Sequence, residues 1–314
     1  MSRLNYVCLS AIAVALLSAA VLSAPLLAKS PPPAPVRPPA VRPAIPAATQ
    51  PRTRAAKVPP VPLMWKVSDA DNSIYLLGSF HLLKRDDYPL SKDIDVAFTA
   101  ADRLVFEVPP AEMHDPATAR KALAHAGYGD ARTLSQVLPA ATRTRFNALL
   151  AKRGSSIAQF DAFEPWFVNL TLVVGLSQSL GFRSEDGLDQ HLMRRAAAAG
   201  KPTSGLESVD EQLQALDRTP MSEQIASLDE FVGDPDKMPG MLDDLHRAWR
   251  QGDAPRLEAL TRDEMLAKTP GTYRLLNVVR NEAWLPKLRA KGYQVERVCD
   301  ACDSKPSQAK RAAR

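Results

Sequence analysis

Residues 73–108 read "SIYLLGSFHLLKRDDYPLSKDIDVAFTAADRLVFEV", and how they fold decides the architecture. "SIYLL" (73–77) and "RLVFEV" (103–108) are short runs rich in β-branched and aromatic residues, the composition of strands. Between them "SKDIDVAFTAA" sets Ile94, Ala97, Phe98 and Ala101 at helical spacing on one face, with Ser91 placed to cap the start. Strand, helix, strand is the unit of parallel sheets, because two parallel strands need a long crossover between them. Upstream, "LMWKVSD" is joined to "SIYLL" through the turn residues "DADN", which predicts a hairpin at the start of the domain.

Downstream the chain is mostly helical by periodicity and composition, over residues 117–126, 139–152, 165–180, 187–199, 221–232, 238–251 and 254–268. "PWFVNLTLVVGLSQSLG" enters with Pro165, stops at Gly181 and is apolar on most sides. Asn169, Ser177 and Gln178 interrupt it too often for lipid, so it predicts a buried central helix. "PTSGLES", after the helix stop at Gly200, predicts a short strand leading to Glu207, and "YQVERV" (293–298) a last strand. The expected fold class is α/β: a mixed sheet of short strands flanked by many helices, in a single domain over residues 62–302.

The ends are different in kind. Residues 1–28 carry Ser2-Arg3 and then an apolar run, the pattern of a secretory signal peptide with cleavage near Ala24 or Ala28; the alternative is an uncleaved membrane anchor. Residues 29–61 form a Pro/Ala-rich linker, in which proline removes backbone donors and fixes φ. Residues 303–314 read as a basic, disordered tail. These features predict a periplasmic or secreted protein that meets a membrane only through an uncleaved leader or its basic ends. The net charge of +5 resides in those ends. Without the seven basic residues of 1–62 and the four basic and one acidic residues of 303–314, the domain keeps 29 basic against 34 acidic residues, which argues against a nucleic-acid partner. Cys299 and Cys302, in "CDAC", read as a local disulfide or redox pair, since a structural zinc site needs four ligands.

Ligands of strand-helix-strand folds sit beyond the carboxyl ends of the strands. Gly78 and His81, Glu107 and Glu207 each lie at or just past a predicted strand end. If those strands are neighbours, one imidazole and two carboxylates converge on a rim, where they could hold a divalent metal or leave His81 as a general base. A histidine serving only as a turn residue is the plain alternative. His114, His125 and His246 lie in polar stretches and read as solvated, and His191 points away from Asp189 two residues before it. There is no Gly-x-Ser-x-Gly elbow, and Ser79 lacks a matching second half.

Four ordered blocks, "MWKVSDADNSIYLLGSFHLL", "DRLVFEV", "GLDQHLMRRAAAAGKPTSGLES" and "LLNVVRNEAWLPKL", resemble the TraB/GumN family, of EreA/ChaN-like fold, whose relatives include metal-dependent proteases acting on Wnt ligands. The resemblance implies a peptide or protein substrate and manganese, cobalt or zinc as cofactor. It makes His81 and Glu107 metal-ligating or acid–base groups, Glu207 a second acid and Arg280 the substrate or site-ordering cation. Gly78, Asp189, Lys201 and Asn281 become supporting positions. An ion pair from Arg280 to Glu107 or Glu207 is its structural alternative. The chain departs from the family where a second Gly-x-x-His is expected: "RNEAWLPKL" runs straight into "RAKGYQVERV", and no histidine follows His246. A site short of one histidine predicts a metal-dependent hydrolase weakened or inactivated. The other expectations are a non-catalytic periplasmic binding or scaffold protein linked to polysaccharide production or export, and a metal-free hydrolase using His81 as base.

Overall fold

The computed structural model describes residues 58–68 and 73–290. The leader, most of the linker, the turn at 69–72, the strand expected at 293–298, Cys299, Cys302 and the basic tail lie outside the described residues. Among the described residues no helix is long and apolar enough to cross a membrane.

The elements in chain order are β1 (Met64–Ser68), β2 (Ser73–Leu77), α1 (Lys92–Ala100), β3 (Leu104–Phe106), α2 (Pro110–Met113), α3 (Ala117–Ala126), α4 (Leu134–Val137), α5 (Ala140–Ala151), α6 (Pro165–Ser179), α7 (Leu188–Ala198) and β4 (Thr203–Gly205). They continue as α8 (Val209–Asp217), α9 (Met221–Gly233), α10 (Met238–Gln251), α11 (Ala254–Glu258), α12 (Glu264–Lys268), α13 (Pro270–Tyr273) and α14 (Arg280–Ala290), with wide π turns at Ala259–Asp263 and Arg274–Val279. The hairpin forms as expected, antiparallel and in register from Met64↔Leu77 to Ser68↔Ser73.

Among the described residues the strands form two small sheets, one antiparallel and one parallel, in place of the single mixed sheet expected. β2 pairs with β1, while β3 pairs in parallel with β4, Leu104 opposite Thr203 and Phe106 opposite Gly205. β2, α1 and β3 therefore follow one another without β2 and β3 sharing a ladder, and the body is mostly helical. The two small sheets are linked by side chains instead: Leu285 and Leu288 of α14 and Leu206 after β4 pack with Val67, Ile74 and Leu76 of the hairpin.

α6 is the buried axis. Pro165 begins it at a position where no N–H is needed. Trp166, Leu170 and Val174 face one core with Phe80, Leu188, Val209 and Trp249, whereas Val168 and Leu172 face a second core with Phe146, Leu228 and Phe231. Apolar residues on both sides of this helix are what separate and join the two cores. α10 shows why His246 is not solvated: Leu242, Leu245 and Trp249 share its face, and the ring is 7% exposed. The helix expected over 254–268 is broken by the first π turn, and the second lies directly before Arg280. π turns inside helices often mark functional positions.

Candidate functional site

The loop after β2 delivers the first group. Gly78 ends the strand with its N–H on the Leu63 carbonyl (2.8 Å) and its own carbonyl on Trp249 Nε1 (3.0 Å). Ser79 and His81 follow in the loop and turn their side chains to the same partner. Both meet Asp189 in the first turn of α7: Ser79 Oγ donates to Oδ2 at 2.5 Å, and His81 Nδ1 lies 2.5 Å from the same oxygen. The two elements touch through their backbones as well, since Leu188 N–H donates to the Phe80 carbonyl at 3.0 Å.

Gly187 makes that approach feasible. A Cβ there would lie 2.1 Å from the His81 carbonyl oxygen. Gly187→Ala is expected to push the His81 loop off α7 and to cost about 1–3 kcal/mol, the range for overpacking a well-fitted contact. Urea unfolding checks this; an unchanged midpoint would mean the loop yields freely.

β3 and β4 deliver the acids. Glu107 and Glu207 are the residues just past the paired ends, and Glu207 N–H donates to the Glu107 carbonyl at 2.8 Å. Gly205 permits the close packing here, because a Cβ on it would lie 2.3 Å from Pro109 Cδ. Arg280, the first residue of α14, inserts its guanidinium between the two carboxylates. Nη2 donates to Glu207 Oε1 at 2.5 Å and to Glu107 Oε2 at 2.7 Å, Nε reaches Glu207 Oε2 at 3.0 Å, and Nη1 donates to the Leu276 carbonyl at 3.0 Å. The ion pair that was the structural alternative for Arg280 is present, and to both glutamates.

Two partners were not anticipated from sequence. Gln212 Nε2 donates to Glu207 Oε1 at 3.0 Å and to Glu107 Oε2 at 3.2 Å, and Trp284 Nε1 donates to Glu207 Oε2 at 3.1 Å. The signal for Gln212 was legible: Ser208 and Glu211 form a capping box that starts α8 and puts Gln212 on its buried first turn. Asn281 is buried beside Arg280. Lys201 belongs elsewhere, holding the end of α1 by donating to the carbonyls of Ala101 and Thr99 and lying over the Phe98 ring. His191 stacks on Tyr88, with ring centroids 4.4 Å apart, and His114 meets Gln190 at 3.2 Å. His125 is half-buried near Asp210 and Asp217, not solvated.

Burial alone would lower the pKa of His81, but the Asp189 carboxylate outweighs it, aided by the field of Glu107 and opposed by Arg280, and raises it to about 9. Asp189 is burdened by burial yet held below its ordinary range by His81 and Ser79. Burial lifts Glu207 above the usual carboxylate range against the pull of Arg280, while Arg280, although buried, is held more firmly protonated by Glu107 and Glu207. At neutral pH the site is thus an imidazolium–carboxylate pair beside a guanidinium set between two glutamates.

The divalent metal implied by the resemblance can be weighed against these donors. His81 Nδ1 is committed to Asp189, and both oxygens of Glu207 accept from Arg280 or neighbouring donors. His81 Nε2 and Glu107 Oε1 lie outside these bonds, and Asp189 is engaged by both Ser79 and His81 through Oδ2, where a catalytic zinc-type site uses three converging protein ligands. Among the described residues no group of three or more His, Cys, Asp or Glu side chains is arranged to hold an ion. As arranged, the described residues do not offer the three-ligand set of a catalytic metal site.

Comparison with known proteins adds a lineage. The TraB/PrgY/gumN family matches residues 63–297, most of the chain. The chain belongs to that family. Curated relatives of this TraB/PrgY/gumN chain include the uncharacterized protein YbaP of Escherichia coli strain K12 and that of Shigella flexneri. Each is 25% identical over 216 residues, 69% of this chain and 77% of theirs. No solved structure shows a significant match.

Proposed function

We propose that this chain is an exported TraB/GumN-family domain, periplasmic or secreted, descended from a peptide hydrolase and retaining half of its site, with hydrolysis weak or absent. The observation that carries this reading is the gripping of Arg280 by Glu107 and Glu207 just past the paired ends of β3 and β4, with the His81–Asp189 pair, from the loop after β2, close enough to feel the charges of Glu107 and Arg280. The leader-like first 28 residues support export. His81, already protonated at neutral pH, is a proton donor there and a poor base, and Glu107, 27% exposed, keeps Oε1 outside its bonds to Arg280 and Gln212. Glu207, Gln212 and Trp284 act in this reading as the frame that holds Arg280.

The test is hydrolysis of a mixed peptide pool by wild type and His81→Ala, with chelator and with manganese, cobalt or zinc. The expected result is a rate near background in every arm. A robust wild-type rate lost in His81→Ala and in chelator would restore the metal-dependent reading. A second reading, metal-free acid–base hydrolysis, is favoured by the His81–Asp189 pair, in which a carboxylate orients one ring nitrogen and leaves Nε2 to face a ligand. It predicts a rate that survives chelation, needs Asp189 and rises toward alkaline pH as His81 loses its proton.

A further inference from the structure

Residues 58–63 follow directly on the proline-rich sequence, yet they are hydrogen-bonded into the body at four places. Arg250 Nη2 donates to the Val58 carbonyl at 2.7 Å, Ser91 N–H to the Pro60 carbonyl at 3.1 Å, Val61 N–H to the Arg250 carbonyl at 2.8 Å, and Gly78 N–H to the Leu63 carbonyl at 2.8 Å. Proline cannot donate, so Val61 is the residue of "PPVP" that can, and its N–H is used. Gly252 ends α10 in the left-handed region at φ 60°, and a Cβ on it would lie 2.5 Å from the Val61 carbonyl oxygen. The close approach of the segment to α10 therefore depends on that glycine.

α10 carries the same contact through to the His81 loop. Asp87 is fully buried and accepts from Arg250, from His246 Nε2 at 2.9 Å and from Lys84 N–H at 2.9 Å, which fixes the guanidinium that reaches Val58. The His246 and Trp249 rings pack on Phe80, at 5.8 and 5.6 Å between centroids, and Trp249 Nε1 holds the Gly78 carbonyl. Gly78 is thus held on one side by the entering segment and on the other by α10, three residues before His81.

We propose that residues 58–63 are a strap, and that Trp249, Arg250 and Gly252 are positioning residues through which it fixes the His81 loop, so that the proline-rich arm is mechanically joined to the candidate site. This goes beyond the hydrolase reading and stands whether or not that reading holds. The test uses the full chain and amide hydrogen exchange. Val61→Pro removes the N–H that meets Arg250 while keeping the extended backbone; Arg250→Lys keeps a positive charge for Asp87 but loses the fork that reaches Val58. In each variant the exchange of the Gly78 and Leu83 amides is expected to rise about five- to tenfold, the worth of one or two hydrogen bonds, with amides of α6 and α9 unchanged. Unchanged exchange at Gly78 and Leu83 would overturn the proposal, as would an equal acceleration in α6 and α9. If Arg250→Lys does not fold, Val61→Pro decides alone.

Discussion

Arg280→Leu is expected to lower the unfolding free energy by about 3–5 kcal/mol, the cost of breaking a buried ion pair from one side. The guanidinium is 5% exposed and Glu207 4%, so its removal leaves a buried carboxylate facing Glu107 with only Gln212 and Trp284 as donors. Arg280→Lys should recover part of the loss: an ammonium can approach one carboxylate but cannot reproduce the fork that bonds both oxygens of Glu207 and one of Glu107. Arg280→Leu/Glu207→Leu should be less destabilised than Arg280→Leu, because no uncompensated charge is then buried at Glu207. Urea unfolding of these three variants and of Glu207→Leu alone checks this. A double variant that loses as much as the sum of its single losses would show that the pair is not coupled.

The second large effect is on pH. The folded His81 pKa is raised from 6.5 to about 9, so its contribution is fully present below pH 6.5 and is lost as the pH rises through about 9. The limit of that contribution is ~3 kcal/mol, from the energy of one pKa unit. Asp189, held below its ordinary value, works in the opposite sense: its side of the pair is present above the unfolded carboxylate pKa and is lost as the pH falls through the folded one. The two are one interaction and are not summed. Wild type should therefore lose up to ~3 kcal/mol more than His81→Gln between pH 6 and pH 10 in chemical denaturation. Parallel curves would mean that the pair is not formed in solution.

What was legible in the sequence follows a physical pattern. Local signals carried over: the hairpin from its turn residues, α6 from its start at Pro165 and stop at Gly181, and α10 from its helical periodicity. Glu107 and Glu207 were recognised as strand-end acids, and they do meet, because parallel pairing of β3 and β4 sets the same ends side by side. The failures are non-local. Which strands pair is decided by partners far apart in sequence, so a strand-helix-strand run could not reveal that β2 pairs with β1 alone among the described residues. His246 looked solvated because its acceptor, Asp87, lies 159 residues away. Lys201 sits in the motif by sequence, but its reach is toward the end of α1. Gln212 is different again: the Ser208–Glu211 capping box marks its place on the buried first turn of α8, but a lone glutamine there carries no chemical motif that announces a bond to two glutamates.

On the function proposed, Arg280 and the His81–Asp189 pair organise this site without a metal centre. The most direct test is thermal unfolding of the full chain, wild type beside His81→Ala, in chelator and then in manganese, cobalt or zinc. Neither protein is expected to gain stability from any of the three ions. A rise confined to wild type, roughly 2.7 kcal/mol at a free metal concentration a hundred times its Kd, would contradict it and return the site to metal-dependent chemistry.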